Sequence, residues 1–262
     1  MQAAKNMTGV SELWRKLGWT FAILLAYRVG IHVPVPGVDA VAMSHFFAQA
    51  KNTLLGVFDM FSGGGLSKVS IFALGVMPYI SSSIIMQLLQ VLSPDLKRMA
   101  KEEGASGRKK VTQYTRYLTV LIAAMQAFGL AVMLEGGLRA PDGTVVQVVG
   151  VPGLTFKMVT ILTMTAGTVL IMWLGEQITS KGLGNGISLI IFSGIVANMP
   201  RAVSDFWGFM GKEIPYILVP VILLLILGVT IAIIVVERAQ RRIPVHYAKR
   251  QQGRKMFGGQ TT

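Results

Sequence analysis

From Ile71 to Leu92 the chain runs 22 residues without a charge, enough α-helix to cross a hydrocarbon core of about 30 Å. Yet the stretch is a poor lipid-facing helix. It carries Gly75, Pro78, the serines 81–83 and two glutamines, Gln87 and Gln90. Polar side chains at membrane depth face protein or water, and Pro78 removes one helical hydrogen bond and predicts a kink. Val76 and Ile80, four apart, share one helix face. Just upstream, Phe58–Lys68 leads from an apolar run into Gly63-Gly64-Gly65. A mobile apolar segment entering a kinked, partly polar membrane helix suggests a gated pathway.

Five further apolar stretches make six spanning candidates: 17–34, 71–92, 115–134, 154–174, 184–200 and 216–236. The fifth is short and leans on protein neighbours; the sixth is the most lipid-like. Charged residues are only 14% of the chain, against about 25% in soluble domains. With no cysteine, disulfides and thiolate metal sites are excluded. His32, His45 and His246 are scattered. Residues 1–16 are polar, so no cleavable signal peptide is expected. Placing the N-terminus in the cytoplasm puts 18 of the 25 Lys and Arg on that side and six outside, with Arg28 inside the first span. This positive-inside bias predicts that both termini are cytoplasmic.

The expected organisation is a cytoplasmic segment 1–16, a transmembrane bundle 17–236 and a basic cytoplasmic loop or tail 237–262. Within 39–70, the stretch around Leu54–Phe61 is too apolar for a solvated loop and too short to span, which fits a re-entrant piece surrounded by protein or a water cavity. Residues 93–114 read as a basic cytoplasmic loop. It is either a docking surface for an anionic partner or simply a topology signal. The tail admits partner docking or lipid headgroup binding. Arg28, about two turns from the outer end of its span, is either functional or bonded to backbone carbonyls of a neighbouring helix; the structural role is preferred. The glycines 182, 184 and 186 predict a tight helix-to-helix turn, with Glu176 orienting it or capping a helix. No H-E-x-x-H, Walker A or G-x-S-x-G string is present, so catalysis finds no support.

The pieces together resemble the SecY family of bacterial protein-conducting channel subunits. The strings are Phe61–Gly64, Gly75–Leu89, Glu103–Tyr117, Trp173–Thr179, Gly184–Phe192, Glu237–Arg242 and Tyr247–Gln252, in the family's order. The resemblance covers nearly all of 12–257. It implies an all-α membrane protein, a polytopic helical bundle of about six transmembrane helices plus a short re-entrant plug helix. It further implies a plug at about 54–70, carrying Leu54, Phe58, Met60, Phe61, Gly63, Gly64 and Gly65. Val76, Ile80 and Ile191 are implied as members of a hydrophobic pore ring, and Gln87 and Gln126 as polar members of a lateral gate wall. Arg108, Lys109, Lys110, Arg241, Arg242, Lys249, Arg250 and Arg254 are implied to dock the ribosome and the SecA motor. The other implied partners are SecE, SecG, signal sequences, nascent chains and membrane lipids. The implied location is the bacterial plasma membrane, with no cofactor, no metal and no enzymatic activity.

Two departures stand out. Position 76 holds valine where the family more often has isoleucine, so the ring is expected to be slightly looser. The family has ten spans and this reading counts six, so the chain is expected to be an incomplete channel. Two other classes remain. A half-size secondary transporter would need paired ionisable groups facing a cavity. A purely structural scaffold would use its small residues for helix packing.

Overall fold

The computed structural model describes residues 2–50, 54–102, 104–139, 145–209, 215, 217–240 and the strand residues 245–246, 250–252, 255–257 and 260–261. The chain forms two compact units, Met1–Arg201 and Ala202–Thr262. The first contains α1 (Gln2–Gly30), α2 (Ala40–Ala50), α3 (Leu54–Phe61), α4 (Met77–Leu92), α5 (Pro94–Glu102) and α6 (Gly104–Glu135). A small hairpin follows, β1 (Leu138–Arg139) with β2 (Val145–Val146), then α7 (Leu154–Lys181) and most of α8 (Gly186–Phe209). The second unit holds the end of α8, then α9 (Leu218–Arg238). Two antiparallel ladders complete it: β3 (Val245–His246) with β6 (Gln260–Thr261), and β4 (Arg250–Gln252) with β5 (Lys255–Phe257). The fold is helical, with only these short ladders among the described residues.

Four described helices are long and apolar enough to cross a membrane: α6 from Ser106, α7, α8 to Gly208, and α9. The chain is thus a multi-pass membrane protein. The second expected span is shorter than its uncharged run. α4 has 16 residues, about 24 Å of helix. Residues 71–76 are turns instead. Pro78 therefore lies in the first helical turn, where its missing N–H would have had no partner anyway. It starts the helix and does not kink it. What diverts 71–76 is packing: a Cβ on Gly30 would run into the Phe72 ring, and one on Gly167 of α7 into the Ile71 carbonyl. Tyr27 stacks on Phe72 with ring centroids 5.7 Å apart.

The basic stretch 93–114 also differs from the expected loop. It is α5 and the first turns of α6, meeting at Gly104 with φ +59°. Hydropathy marks only the apolar part of α6; the helix itself runs 32 residues. One face of it is built for close approach. Thr115, Thr119, Ala123, Ala127 and Ala131 recur every four residues and are all buried, so α6 packs on α7 and α4 through a stripe of small side chains. The threonines bond their own helix, Thr119 Oγ1 to the Thr115 carbonyl at 2.7 Å.

Two apolar clusters form the core of the first unit. One gathers Met43, Phe46 and Phe47 of α2 with Ala127, Ala131 and Leu134 of α6. The other joins Ile23, Tyr27 and Ile31 to Phe72, Ile171, Ile178 and Ile190. α2 itself was not apparent in the sequence. α7 reaches Lys181, beyond the expected 174, and Gly182–Asn185 then form the tight turn that the glycines predict. In the second unit, α9 has no buried residue.

Candidate functional site

The segment between α3 and α4 is knotted to itself and tied at its base. Ser62 Oγ accepts the Gly65 and Leu66 N–H groups, each at 3.1 Å. Asp59 Oδ1 accepts the Ser67 N–H at 2.7 Å. Gly63 and Gly64 take positive φ, +69° and +87°, which L side chains resist. At the base, Val35 N donates to Val69 O at 2.8 Å and Ile71 N to Val33 O at 2.9 Å. That short antiparallel bridge holds residues 69–71 against the chain leaving α1.

Beside this segment opens a cavity of about 640 Å³. Phe58 and Phe61 of α3 line it, with Val76 and Ile80 at the start of α4 and Ile191 on α8. α6 adds Gln126, Gly129, Leu130 and Met133, the i, i+3, i+4, i+7 face of one helix. Among the described residues no charged side chain lines the cavity, and Ser62 and Gln126 are the polar ones. Such a wall offers an ion nothing to replace its water. It offers no charge or dense polar cluster to single out one kind of side chain either.

Polar ties fix the helices around the cavity. Arg28 Nη1 donates to the Gly63 carbonyl at 3.0 Å, and Tyr27 Oη to the Ser62 carbonyl at 3.3 Å. α1 ends at Gly30, so Arg28 lies in its last turn, and its carbonyl partner belongs to the turn after α3 instead of a helix. Away from the cavity, Arg116 and Glu176 form a two-pronged ion pair, both bonds 2.8 Å. Glu176 thus clasps α7 to α6 and neither caps a helix nor orients the turn. That turn is held by Thr20 Oγ1, which accepts the Leu183 N–H at 3.2 Å, and by Thr179 Oγ1, which accepts the Gly186 N–H at 2.9 Å.

The family profile described as SecY matches residues 70–262. Protein translocase subunit SecY of Pseudomonas aeruginosa is 47% identical over 263 residues, covering 99% of this chain and 57% of that protein. The chain belongs to the SecY family. Two solved structures share the fold of this SecY-family chain. One concerns the plug domain of SecY, described as stabilising the closed state of the translocation channel and maintaining a membrane seal. It has a TM-score of 0.57 at 17% identity, over 94% of this chain and 51% of that one. The other is Sec61 in the canine ribosome–channel complex from the endoplasmic reticulum, with a TM-score of 0.57 at 18% identity, over 89% of this chain and 50% of that one. The chain therefore spans little more than half the length of the SecY relative it matches.

Set against this SecY frame, the expected residues fall into three groups. Val76, Ile80, Ile191, Phe58, Phe61 and Gln126 meet at the cavity. Gly63 and Gly64 form the turn, Gly65 lies buried beside it, and Met60 is 42% exposed and off the cavity lining. Leu54 opens α3. Gln87 is also off the cavity, bonding Ser83 Oγ on its own helix at 3.3 Å. Arg108, Lys109 and Lys110 are exposed on α6. Arg250 is in β4, while Arg241, Arg242, Lys249 and Arg254 lie outside the described residues. Sequence reasoning missed Gly129, Leu130 and Met133, although extending the helical face from Gln126 would have found them. It also missed the Arg28–Gly63 and Arg116–Glu176 partners, whose separations of 35 and 60 residues leave no local signal.

Proposed function

We propose that this chain forms the plug-bearing part of a protein-conducting channel in the bacterial plasma membrane. It would pass unfolded secretory proteins across and release transmembrane segments sideways into lipid. The observation that carries the reading is the uncharged cavity, where Val76, Ile80 and Ile191 face Phe58 and Phe61. In this reading the three aliphatic residues are part of the constriction, α3 with 62–68 is the plug, and Gln126 and Gln87 belong to the gate wall of α6 and α4. No enzymatic step is assigned to the chain. Both termini are cytoplasmic, from the charge bias between the two sides. The exposed cations of α6 and the basic tail then dock a ribosome or the SecA motor, and SecE, SecG and a partner carrying further helices complete the channel. The Sec61 neighbour supports the ribosome among these partners.

Photo-crosslinkers at 76, 80 and 191 in the assembled channel should capture a stalled translocating chain. One at Leu225 of α9, 62% exposed, should not. Equal capture at all four positions would sink the reading. A solute-transporter reading has one observation in its favour, the Arg116–Glu176 pair lining a second cavity of about 740 Å³. That pair is already satisfied on both prongs, so it reads better as a clasp between helices. Capture of a small solute without any polypeptide capture would revive the transporter.

A further inference from the structure

Arg28 has an unusual assignment for a charge on an apolar helix: its described acceptor is a main-chain carbonyl, that of Gly63. Next to it, the 1%-exposed Tyr27 takes the Ser62 carbonyl. Two consecutive side chains of α1 thus hold two consecutive carbonyls of the turn that ends α3. Among the described residues, neither carbonyl accepts a backbone bond.

Elsewhere the segment is held by packing of Leu66 on the α2–α6 cluster and by the bonds that join 65–66 to 69–70. Apart from those bonds, residues 59–67 are bonded chiefly to one another, and the base 69–71 is tied to 33–35. Phe58 and Phe61 keep 49% and 43% of their surface exposed, so about half of their transfer free energy is not realised in this position. Against α8, Gly63 fits only because it is glycine: an added Cβ would lie 2.9 Å from the Gly194 Cα. That contact fixes where the turn sits but contributes few atoms. The polar pair is the strongest directional tie, since a charge-assisted bond to a carbonyl outweighs a neutral one.

We propose that Arg28, assisted by Tyr27, is the latch that keeps the plug seated and sets how readily it is displaced. This rests on the plug reading above. A guanidinium at membrane depth cannot stay unbonded cheaply, so the plug leaves only as fast as Arg28 finds another acceptor. An extended polypeptide entering the cavity presents a row of main-chain carbonyls of the same chemistry. The latch would therefore release by exchange, carbonyl for carbonyl, irrespective of the substrate's side chains. Arginine suits this better than lysine because its planar fork can hold the old acceptor while engaging the new one.

The test is amide hydrogen exchange on the assembled channel in nanodiscs, comparing the parent with Arg28→Met, Arg28→Lys and Tyr27→Phe. In Arg28→Met, residues 56–68 should exchange about ten- to a hundredfold faster while α7 is unchanged. Arg28→Lys should recover part of the protection, and Tyr27→Phe, which keeps the ring on Phe72, should lose less. Unchanged exchange at 56–68, or an equal rise throughout α1, α7 and the plug, overturns the latch. Should Arg28→Met fail to fold, the graded order of the lysine and phenylalanine variants decides the matter alone. Ion leak and export of a substrate with a weakened signal are read in parallel, and both should rise in Arg28→Met. Faster exchange without leak would leave the latch standing and remove the plug reading instead.

Discussion

Two glycine-rich stretches look alike in the sequence and do opposite things in the fold. Gly182, Gly184 and Gly186 join α7 to α8, and Gly63, Gly64 and Gly65 follow α3. At the first, two of the glycines are there for contact, and Gly184 alone, at φ +64°, has open space around it. A Cβ on Gly186 would collide with the Gly175 carbonyl and lie 2.7 Å from Ile178 Cβ, while one on Gly182 would strike Thr20 Oγ1. At the second the approach is milder: Cβ atoms on Gly63 and Gly65 would come to 2.9 and 3.1 Å of a neighbour, with no outright collision. A Cβ on Gly64 would meet nothing within 4 Å, and its demand is only conformational, φ +87°. Glycine count reports neither case; what surrounds each missing Cβ does. The first turn welds three helices, and the second seats a short segment against α8 at Gly63 while leaving Gly64 open.

Single substitutions can break that contrast. The largest effect is expected from Gly186→Ala, which must push α8 off α7. A loss of about 3 kcal/mol is expected, read as an earlier unfolding midpoint on titration with denaturant in micelles. A midpoint equal to the parent's would mean that the weld is loose. Next comes Gly63→Ala, which combines a left-handed backbone costing about 1–2 kcal/mol with the Gly194 contact. Its penalty should fall locally, raising exchange and ion leak around 56–68 while the global midpoint barely moves. Gly64→Ala should show the same local pattern at about 1 kcal/mol, because no contact adds to the strain. The smallest effect is of opposite sign. Gly129 lies in the interior of α6, where a Cβ would meet nothing within 4 Å, so Gly129→Ala should stabilise by at most about 1 kcal/mol. A destabilised Gly129→Ala would show that the cavity wall beside it is tighter than it stands here.

The same contrast explains what could be read in advance. Val76, Ile80 and Ile191, which the resemblance implied as pore-ring members, line one cavity; the residues alone showed only that Val76 and Ile80 share a helix face. The start of α4 was not legible. Residues 71–76 are as apolar as a helix, and only Gly30 and Gly167, distant in sequence, show that Phe72 and Ile71 are packed across the chain. The first turns of α6 failed for the reverse reason: Arg108–Lys110 are charged like a loop, yet charge alone does not prevent a helix. Pro78 was read as a kink because its helix was expected to begin at residue 71, six residues before Met77. Long-range ties such as Arg116–Glu176 leave no periodic trace at all.

The bridge between Val33–Val35 and Val69–Ile71 carries one more consequence. Helix α2 is packed in the core on one side and residues 69–71 are bridged to 33–35 on the other, so residues 54–68 between them behave as a tethered ligand for their own seat. Their local concentration there is set by chain geometry and does not depend on how much channel the membrane holds. Loops of about ten residues close in roughly 10–100 ns. On the plug reading proposed above, reseating would be a first-order event that needs no diffusional search, and the interval open to ions would be governed by the departure of whatever occupies the cavity.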